Sequence, residues 1–166
     1  YTVVLTAANS DGRDGETKTN YITVTDPPPP SDNLTFAPLA DAHVKSSSAT
    51  SNYGPDSQIR TRFGSPDYDI YLKFAVTGVS GSVSQAILRL FVTDYSNDGG
   101  SVYLVGNDWQ ETTITAQNAP VISGSPVAEI GATTNGQWVE VDLTAVIPTN
   151  GTYSFGISTS STNSTS

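Results

Sequence analysis

The sequence predicts an all-β protein whose main part is a two-sheet, jelly-roll-like β-sandwich. Apolar residues recur at every second position in short runs, as they do in strands that are half buried against a core. Turn-forming residues separate these runs, and the chain holds 14 glycines and 10 prolines in 166 residues. No stretch shows sustained helical periodicity. Short alternating runs divided by turn residues are typical of a sandwich.

Two apolar runs form the centre of the predicted sandwich. Residues 70–76 place Ile, Leu, Phe and Val on one face, with Lys73 on the other. Residues 86–92 repeat the pattern, with Arg89 on the face away from the apolar residues. A polar turn that contains glycine and serine joins the two strands. The two cations are therefore expected on faces that point away from the core.

A run of four prolines divides the chain. Proline favours an extended polyproline II conformation, so residues 27–33 are predicted to be a semi-rigid linker. Residues 1–26 before it read as a β-hairpin, with strands at 1–7 and 18–25. Residues 34–166 after it read as the sandwich, whose tail from 158 is expected to be loop or disordered. Its other strands are predicted at 34–36, 41–45, 58–63, 101–105, 127–130, 137–143 and 152–158.

The N-terminal hairpin carries a distinct residue pattern. It reads Tyr1-x-Val3-x-Leu5-Thr6-Ala7-x-Asn9-x-x-Gly12, followed by Tyr21-Ile22-x-Val24. This pattern resembles the last two strands of a PKD (polycystic-kidney-disease) domain, an immunoglobulin-like spacer module of extracellular bacterial and archaeal proteins. The resemblance implies that the hairpin is the remnant of an immunoglobulin-like domain.

Three groups of motifs in the main part occur in a fixed order. They are Asp41-Ala42-x-Val44 with Asn52-Tyr53-Gly54 and Tyr71-Leu72-Lys73-Phe74; Ala86-x-Leu88-Arg89-Leu90; and Trp109-x-Glu111-x-x-Ile114-Thr115-x-x-Asn118-Ala119-Pro120 with Trp138-x-x-Val141-Asp142-Leu143-Thr144. Together they resemble the DNRLRE-type β-sandwich, which overlaps carbohydrate-binding module family 96. The resemblance implies a non-catalytic module of an extracellular enzyme or surface protein, and some members bind alginate. His43 stands where the family usually has an aromatic residue, and the family's last strand is expected to be missing.

Composition excludes several classes of function. The net charge of −9 argues against general binding of nucleic acid, which needs a basic surface. No apolar run reaches the roughly 18 residues of a membrane span. Without cysteine and with a single histidine, the chain has no thiolate or multi-histidine metal centre. No nucleophile motif or carboxylate pair supports catalysis. A secreted or cell-surface protein that is not an enzyme is expected.

The basic residues of the main part are the best candidates for a binding site. All five precede residue 90, and each is predicted to point away from the core. Arginine can form two hydrogen bonds to a carboxylate, and lysine adds a point charge. If their strands neighbour one another, they form a basic face for an anionic polysaccharide such as alginate; otherwise they are ordinary solvated residues. The predicted ligand contacts are Arg60, Arg62, Tyr71, Lys73, Arg89 and Lys45.

Other polar and aromatic residues support weaker expectations. Trp109 is predicted to pack within a loop across the end of the sandwich, and Trp138 is predicted to cover a sheet edge. An exposed tryptophan would instead stack on sugar rings. His43 is expected to be a surface residue of a strand. Asp94 and Asp98 are weak candidates for ligands of a structural Ca²⁺, because this ion prefers oxygen ligands.

A structural role is the alternative to glycan binding. The predicted orphan hairpin and the missing last strand leave open sheet edges. Such edges can pair with neighbouring domains or subunits, as in fibres built by strand donation. The alternative is therefore a structural bead of an extracellular adhesin or fibre.

Overall fold

A computed structural model of the chain describes residues 3–19, 33–163 and 165. The chain divides into two compact units, Tyr1–Asn33 and Leu34–Ser166. The described residues contain antiparallel strands and two short 3₁₀ turns, at Ser46–Ser48 and Thr144–Val146, but no α-helix. The prediction of an all-β protein is confirmed.

The described part of the first unit is a β-hairpin. Strand β1 (Val3–Asn9) pairs with β2 (Gly12–Lys18), and Asn9 lies opposite Gly12. The Asn9 side chain accepts a hydrogen bond from the backbone N–H of Asp11, at 2.9 Å, which stabilises the turn. The returning strand begins directly after this turn, earlier than the predicted 18–25. Residues 20–26 lie outside the described residues, and the PKD resemblance stays a prediction.

The second unit contains two antiparallel sheets. The larger sheet has the strand order β3-β4-β9-β6-β7, and β5 pairs with β8 in the smaller sheet. Apolar side chains from both sheets pack into one core, so the prediction of a two-sheet sandwich is confirmed. The strands are β3 (Ala40–Lys45), β4 (Tyr68–Val76), β5 (Ile87–Phe91), β6 (Ser101–Val105), β7 (Ala128–Glu129), β8 (Trp138–Asp142) and β9 (Gly151–Ser158).

The two central strands of the prediction, β4 and β5, belong to different sheets. β4 pairs with β3 and β9, whereas β5 pairs with β8, so the turn between β4 and β5 crosses from one sheet to the other. The apolar faces of the two strands meet across the core. This core consists of Ile70, Leu72, Leu88, Val102, Val141, Leu143, Phe155 and Ile157.

A third layer lies on the outer face of the larger sheet. It is formed by residues 107–122, here called the covering segment, whose Trp109 and Ile114 pack against Ala42 of β3. The Asn52 side-chain amide donates to the carbonyls of Glu111 and Ile114, each at 2.7 Å, and ties the segment to the preceding loop. The larger sheet is therefore buried on both faces over this region.

Two predicted strands differ from expectation. Residues 34–36 form no strand, and residues 58–63 contribute only two isolated bridges, in which Thr61 pairs with Thr165 and Arg62 with Tyr68. Thr165 is only 8% exposed. The described tail is thus a loop that packs against the 58–63 region, because its backbone groups supply the hydrogen bonds that a regular strand would have made.

Candidate functional site

The predicted basic residues lie in three separate places. Lys45 is in β3 and Lys73 is in β4, but they point to opposite faces of the larger sheet, since Lys45 pairs with Tyr68 and Lys73 pairs with Ala40. Arg89 lies in β5, in the smaller sheet. The expected single basic face is therefore not formed. The prediction failed because strand adjacency is set by topology, which alternation along one strand does not specify.

Tyr71 and Lys73 are buried beneath the covering segment. They are 3% and 8% exposed. The Tyr71 hydroxyl donates to the Pro120 carbonyl at 2.9 Å, and burial raises the pKa of this phenol. The Lys73 ammonium donates to the Trp109 carbonyl and lies 4.5 Å from the centroid of the Trp109 ring. The expectation that these two residues face solvent is wrong, because the face opposite the core is covered by another layer.

Three of the predicted cations meet around one tyrosine. The backbone of Tyr68 pairs with Lys45 of β3 on one side and, in an isolated bridge, with Arg62 on the other. The Lys45 ammonium and the Arg60 guanidinium lie 5.7 and 5.8 Å from the centroid of the Tyr68 ring. The Arg62 Nε donates to the Thr162 carbonyl at 2.9 Å, which holds that side chain in place. We call Lys45, Arg60, Arg62 and Tyr68 the cationic cluster.

The cationic cluster forms no ion pair within the part of the chain that the structure describes. Within residues 3–19, 33–163 and 165, none of its three cations has a carboxylate within 4.0 Å. All three are partly exposed to solvent. The Arg60 Nε is a buried donor without a hydrogen-bond partner in the described structure. Because this protein carries a net charge of −9, the cluster is a local exception that favours an anionic ligand.

His43 lies beside the cationic cluster and is 1% exposed. Its ring stacks on Tyr53 at 4.9 Å between centroids and is tilted against Tyr68 at 5.7 Å. Burial lowers the pKa of His43, and the charge of Arg60 adds to this effect, while Asp56 opposes it. The expectation of a surface histidine is wrong, since the two tyrosines cover it.

Trp138 and Phe91 form an exposed aromatic pair on the smaller sheet. They lie opposite each other in β8 and β5, with ring centroids 5.3 Å apart, and are 56% and 50% exposed. The Arg89 guanidinium lies 4.7 Å from the centroid of the Trp138 ring and forms an ion pair with Glu140 at 3.0 Å. We call these four residues the Trp138 platform. β8 turns the Trp138 side chain away from the core, onto the exposed outer face of the smaller sheet.

Trp109 differs from Trp138, since it is only 6% exposed. Its indole N–H donates to the Ser154 hydroxyl in β9 at 3.2 Å. The prediction that Trp109 packs within a structured loop is confirmed. A glycan therefore has direct access to only one of the two tryptophans.

The candidate calcium ligands have different surroundings. Burial alone would raise the pKa of Asp98, but hydrogen bonds from Ser160, Gly100 and Thr159 outweigh it and lower that pKa. Asp98 thus connects the loop before β6 to the tail, and Asp94 is exposed. In the described parts of the chain, no group of three or more histidine, aspartate or glutamate side chains could hold a metal ion.

A groove of about 460 Å³ lies between the covering segment and the larger sheet. Asp67, Asp69, Tyr103 and Val121 are among the residues that line it. Burial raises the pKa of Asp69, and the nearby charge of Asp67 acts in the same direction. The two acidic side chains make this groove unfavourable for an anionic glycan.

Tyr68 and Glu140 are two site residues that the sequence analysis did not single out. The alternation that identified the strand at 70–76 continues back to Tyr68, and the alternation of Trp138 with Val139 also places Glu140 on the outer face. Glu140 could therefore have been found by extending the period-two pattern, whereas the same extension places Tyr68 with Ile70 on the core-facing side and gives no reason to select it. The convergence of Arg60 on Tyr68 could not, because the chain at Arg60 is not in a regular strand.

Comparison with known families and proteins gives one match. Residues 32–166 match the family model of carbohydrate-binding module family 96. No curated protein matches the chain. Among the described residues, no helix has the length and apolar character needed to span a bilayer. The matched residues are most of the chain and include both sheets, the covering segment and all the side chains of the two candidate surfaces. The chain belongs to carbohydrate-binding module family 96.

Proposed function

We propose that this carbohydrate-binding module binds an anionic polysaccharide of the alginate type through the cationic cluster. The observation that carries the proposal is that Lys45 and Arg60 lie over the Tyr68 ring and Arg62 pairs with the backbone of Tyr68, with no ion pair from these cations to a carboxylate of the described residues. The module has a non-catalytic role in a secreted or cell-surface protein, where it holds the attached protein near its polysaccharide.

The chemistry of the cluster suits a chain of uronate residues. A guanidinium can donate two parallel hydrogen bonds to one carboxylate, and an ammonium attracts a second carboxylate without strict geometry. Tyr68 supplies a partly exposed ring among these cations, against which the apolar face of a sugar can pack. The other two surfaces carry carboxylates of their own, namely Glu140 on the platform and Asp67 and Asp69 in the groove.

The proposed contacts predict modest affinity that falls with salt. The cations are partly exposed, and interactions between exposed charges are screened over about 8 Å at physiological ionic strength. Affinity should therefore depend on several charge contacts along the polysaccharide and not on one buried subsite.

The test is calorimetric titration of alginate oligosaccharides into the double variant Lys45→Gln/Arg60→Gln. We expect the variant to bind at least about tenfold more weakly than the wild type, since two charge-assisted contacts are lost. The matched control is Arg89→Gln, which removes one cation outside the cluster and should leave the affinity unchanged. Equal affinity of the double variant and the wild type would exclude this surface as the site.

A second variant tests the geometry of the contact, and melting temperatures separate effects on binding from effects on folding. Arg60→Lys retains the positive charge but loses the planar fork, so it should bind with intermediate affinity. The melting temperature of each variant is measured in parallel. If the double variant melts like the wild type, its loss of affinity reports the ligand contact itself.

A further inference from the structure

The outer face of the smaller sheet presents three rows of paired side chains. Successive rows along a strand pair are about 7 Å apart, since each residue of an antiparallel strand advances by about 3.4 Å. The strands β5 and β8 turn their other side chains into the core. The rows are Phe91 with Trp138, Arg89 with Glu140, and Ile87 with Asp142.

The first row is an aromatic surface that is held in place before any ligand arrives. Phe91 contacts Trp138 in an edge-to-face geometry, and Arg89 lies over the indole at 4.7 Å. More than half of the Trp138 surface nevertheless remains exposed. A ring that its neighbours already orient loses little conformational freedom on binding. Such a surface suits a flat ligand with an apolar face.

The charges of the second and third rows indicate which ligand fits. Arg89 contributes +1, and Glu140 and Asp142 contribute −1 each, so the face carries a net charge of −1. Asp142 stays ionised because hydrogen bonds from the Thr144 hydroxyl and backbone N–H lower its pKa. A uronate chain would be repelled, whereas the hydroxyls of a neutral sugar find both donors and acceptors. Repulsion between two such faces also disfavours pairing with a second copy of the chain.

We propose that the Trp138 platform is a second glycan-binding surface, specific for neutral pyranose chains. The apolar face of one sugar ring stacks on the indole of Trp138. Its hydroxyls, or those of the next ring, bond to Glu140 and Arg89. This inference rests on the carbohydrate-binding function of the module but is independent of the cationic cluster, because no residue is common to the two surfaces.

Tryptophan fluorescence tests the proposal with cellohexaose and chitohexaose as probes. The chain has two tryptophans, and only Trp138 is exposed, so protection from acrylamide quenching on addition of a probe reports this residue. We expect protection that persists at high salt for at least one probe. By calorimetric titration, Trp138→Ala should weaken binding of that probe by about tenfold or more. Phe63→Ala, which removes a ring that is 55% exposed elsewhere, should not.

Three outcomes would overturn the proposal. The first is that neither neutral probe binds; if alginate still binds, the cationic cluster survives as the site, and if alginate does not bind either, both proposals fail. The second is that Trp138→Ala binds the neutral probe as tightly as the wild type does. The third is that the wild type is a dimer by sedimentation and Trp138→Ala is a monomer, which would make the face a contact between copies.

Discussion

Among the described residues, a lysine lies over the ring of one tryptophan and an arginine lies over the ring of the other. The two pairs have similar geometry and different surroundings. Lys73 lies 4.5 Å from the ring centroid of Trp109, and Arg89 lies 4.7 Å from that of Trp138. The first pair is buried, while both members of the second are exposed. The difference arises from the covering segment, which lies on the larger sheet and not on the smaller one. A pair formed by a cation and a tryptophan thus belongs to the packed interior where a third layer covers it. Where no such layer is present, the pair is accessible to a ligand.

The two pairs should also differ in energy. A cation–π contact contributes about 0.5–1 kcal/mol at an exposed site and about 2 kcal/mol or more when it is desolvated. The Lys73 ammonium also donates to the Trp109 carbonyl, so its partners are fixed within the fold. The Arg89 guanidinium has an exposed ion pair with Glu140, a kind of contact that contributes about 0–1 kcal/mol. Three predictions test this contrast.

The largest effect is expected for truncation of the buried indole. Trp109→Ala should lower the free energy of unfolding by about 3–5 kcal/mol, because it leaves a cavity under the covering segment and removes a hydrogen bond to Ser154. Trp138→Ala is the matched variant and should change stability by less than about 1 kcal/mol. Urea denaturation measures both. Equal losses would contradict the assignment of separate roles to the two tryptophans.

A smaller effect is expected when the cations are replaced. Lys73→Met keeps the apolar stem and removes the ammonium, so it should cost about 1.5–3 kcal/mol, the range for hydrogen bonds to charged groups. Arg89→Met should cost less than about 1 kcal/mol. Thermal and urea unfolding of the two variants give the comparison. A Lys73→Met protein as stable as the wild type would show that the buried cation contributes nothing net.

The smallest effect on stability is expected from the protonation of His43, a third aromatic ring that lies beside cations. His43 is buried next to Arg60 and Lys45, with Asp56 opposing them, and its pKa is lowered below the ordinary value of 6.5. The folded protein therefore binds fewer protons than the unfolded chain just below pH 6.5. Stability should fall as the pH drops through this window. His43→Phe, which preserves stacking on Tyr53, should reduce that dependence; identical pH profiles of variant and wild type would contradict the burial of an uncharged imidazole.

The alternation of apolar and polar residues predicted the positions of the strands better than it predicted which strands lie next to one another. The alternation at 70–76 correctly placed Leu72 in the core and Tyr71 on the opposite face. It did not specify that β4 and β5 belong to different sheets, because the turn between them is compatible with either a hairpin or a crossover. It also did not specify that a loop covers Tyr71. Which elements pack together depends on long-range contacts that have no period in the sequence.

The candidate site was predicted in part for the same reason. Lys45, Arg60 and Arg62 were selected as cations away from the core, and they do converge around Tyr68, but Lys45 lies with Tyr68 on the core-facing side of the larger sheet, so that part of the expectation is wrong. Arg89 was selected for the same site and lies in the other sheet instead. Charge and residue type therefore identified most of the members, while the topology determined which of them share a surface.

We propose that the cationic cluster binds a uronate polysaccharide. Affinity electrophoresis of the wild-type protein through gels with and without alginate, at low and high salt, tests it most directly. We predict clear retardation by alginate at low salt and weaker retardation at high salt, since exposed charge contacts are screened. Mobility that alginate does not change, or retardation that does not respond to salt, would contradict the claim.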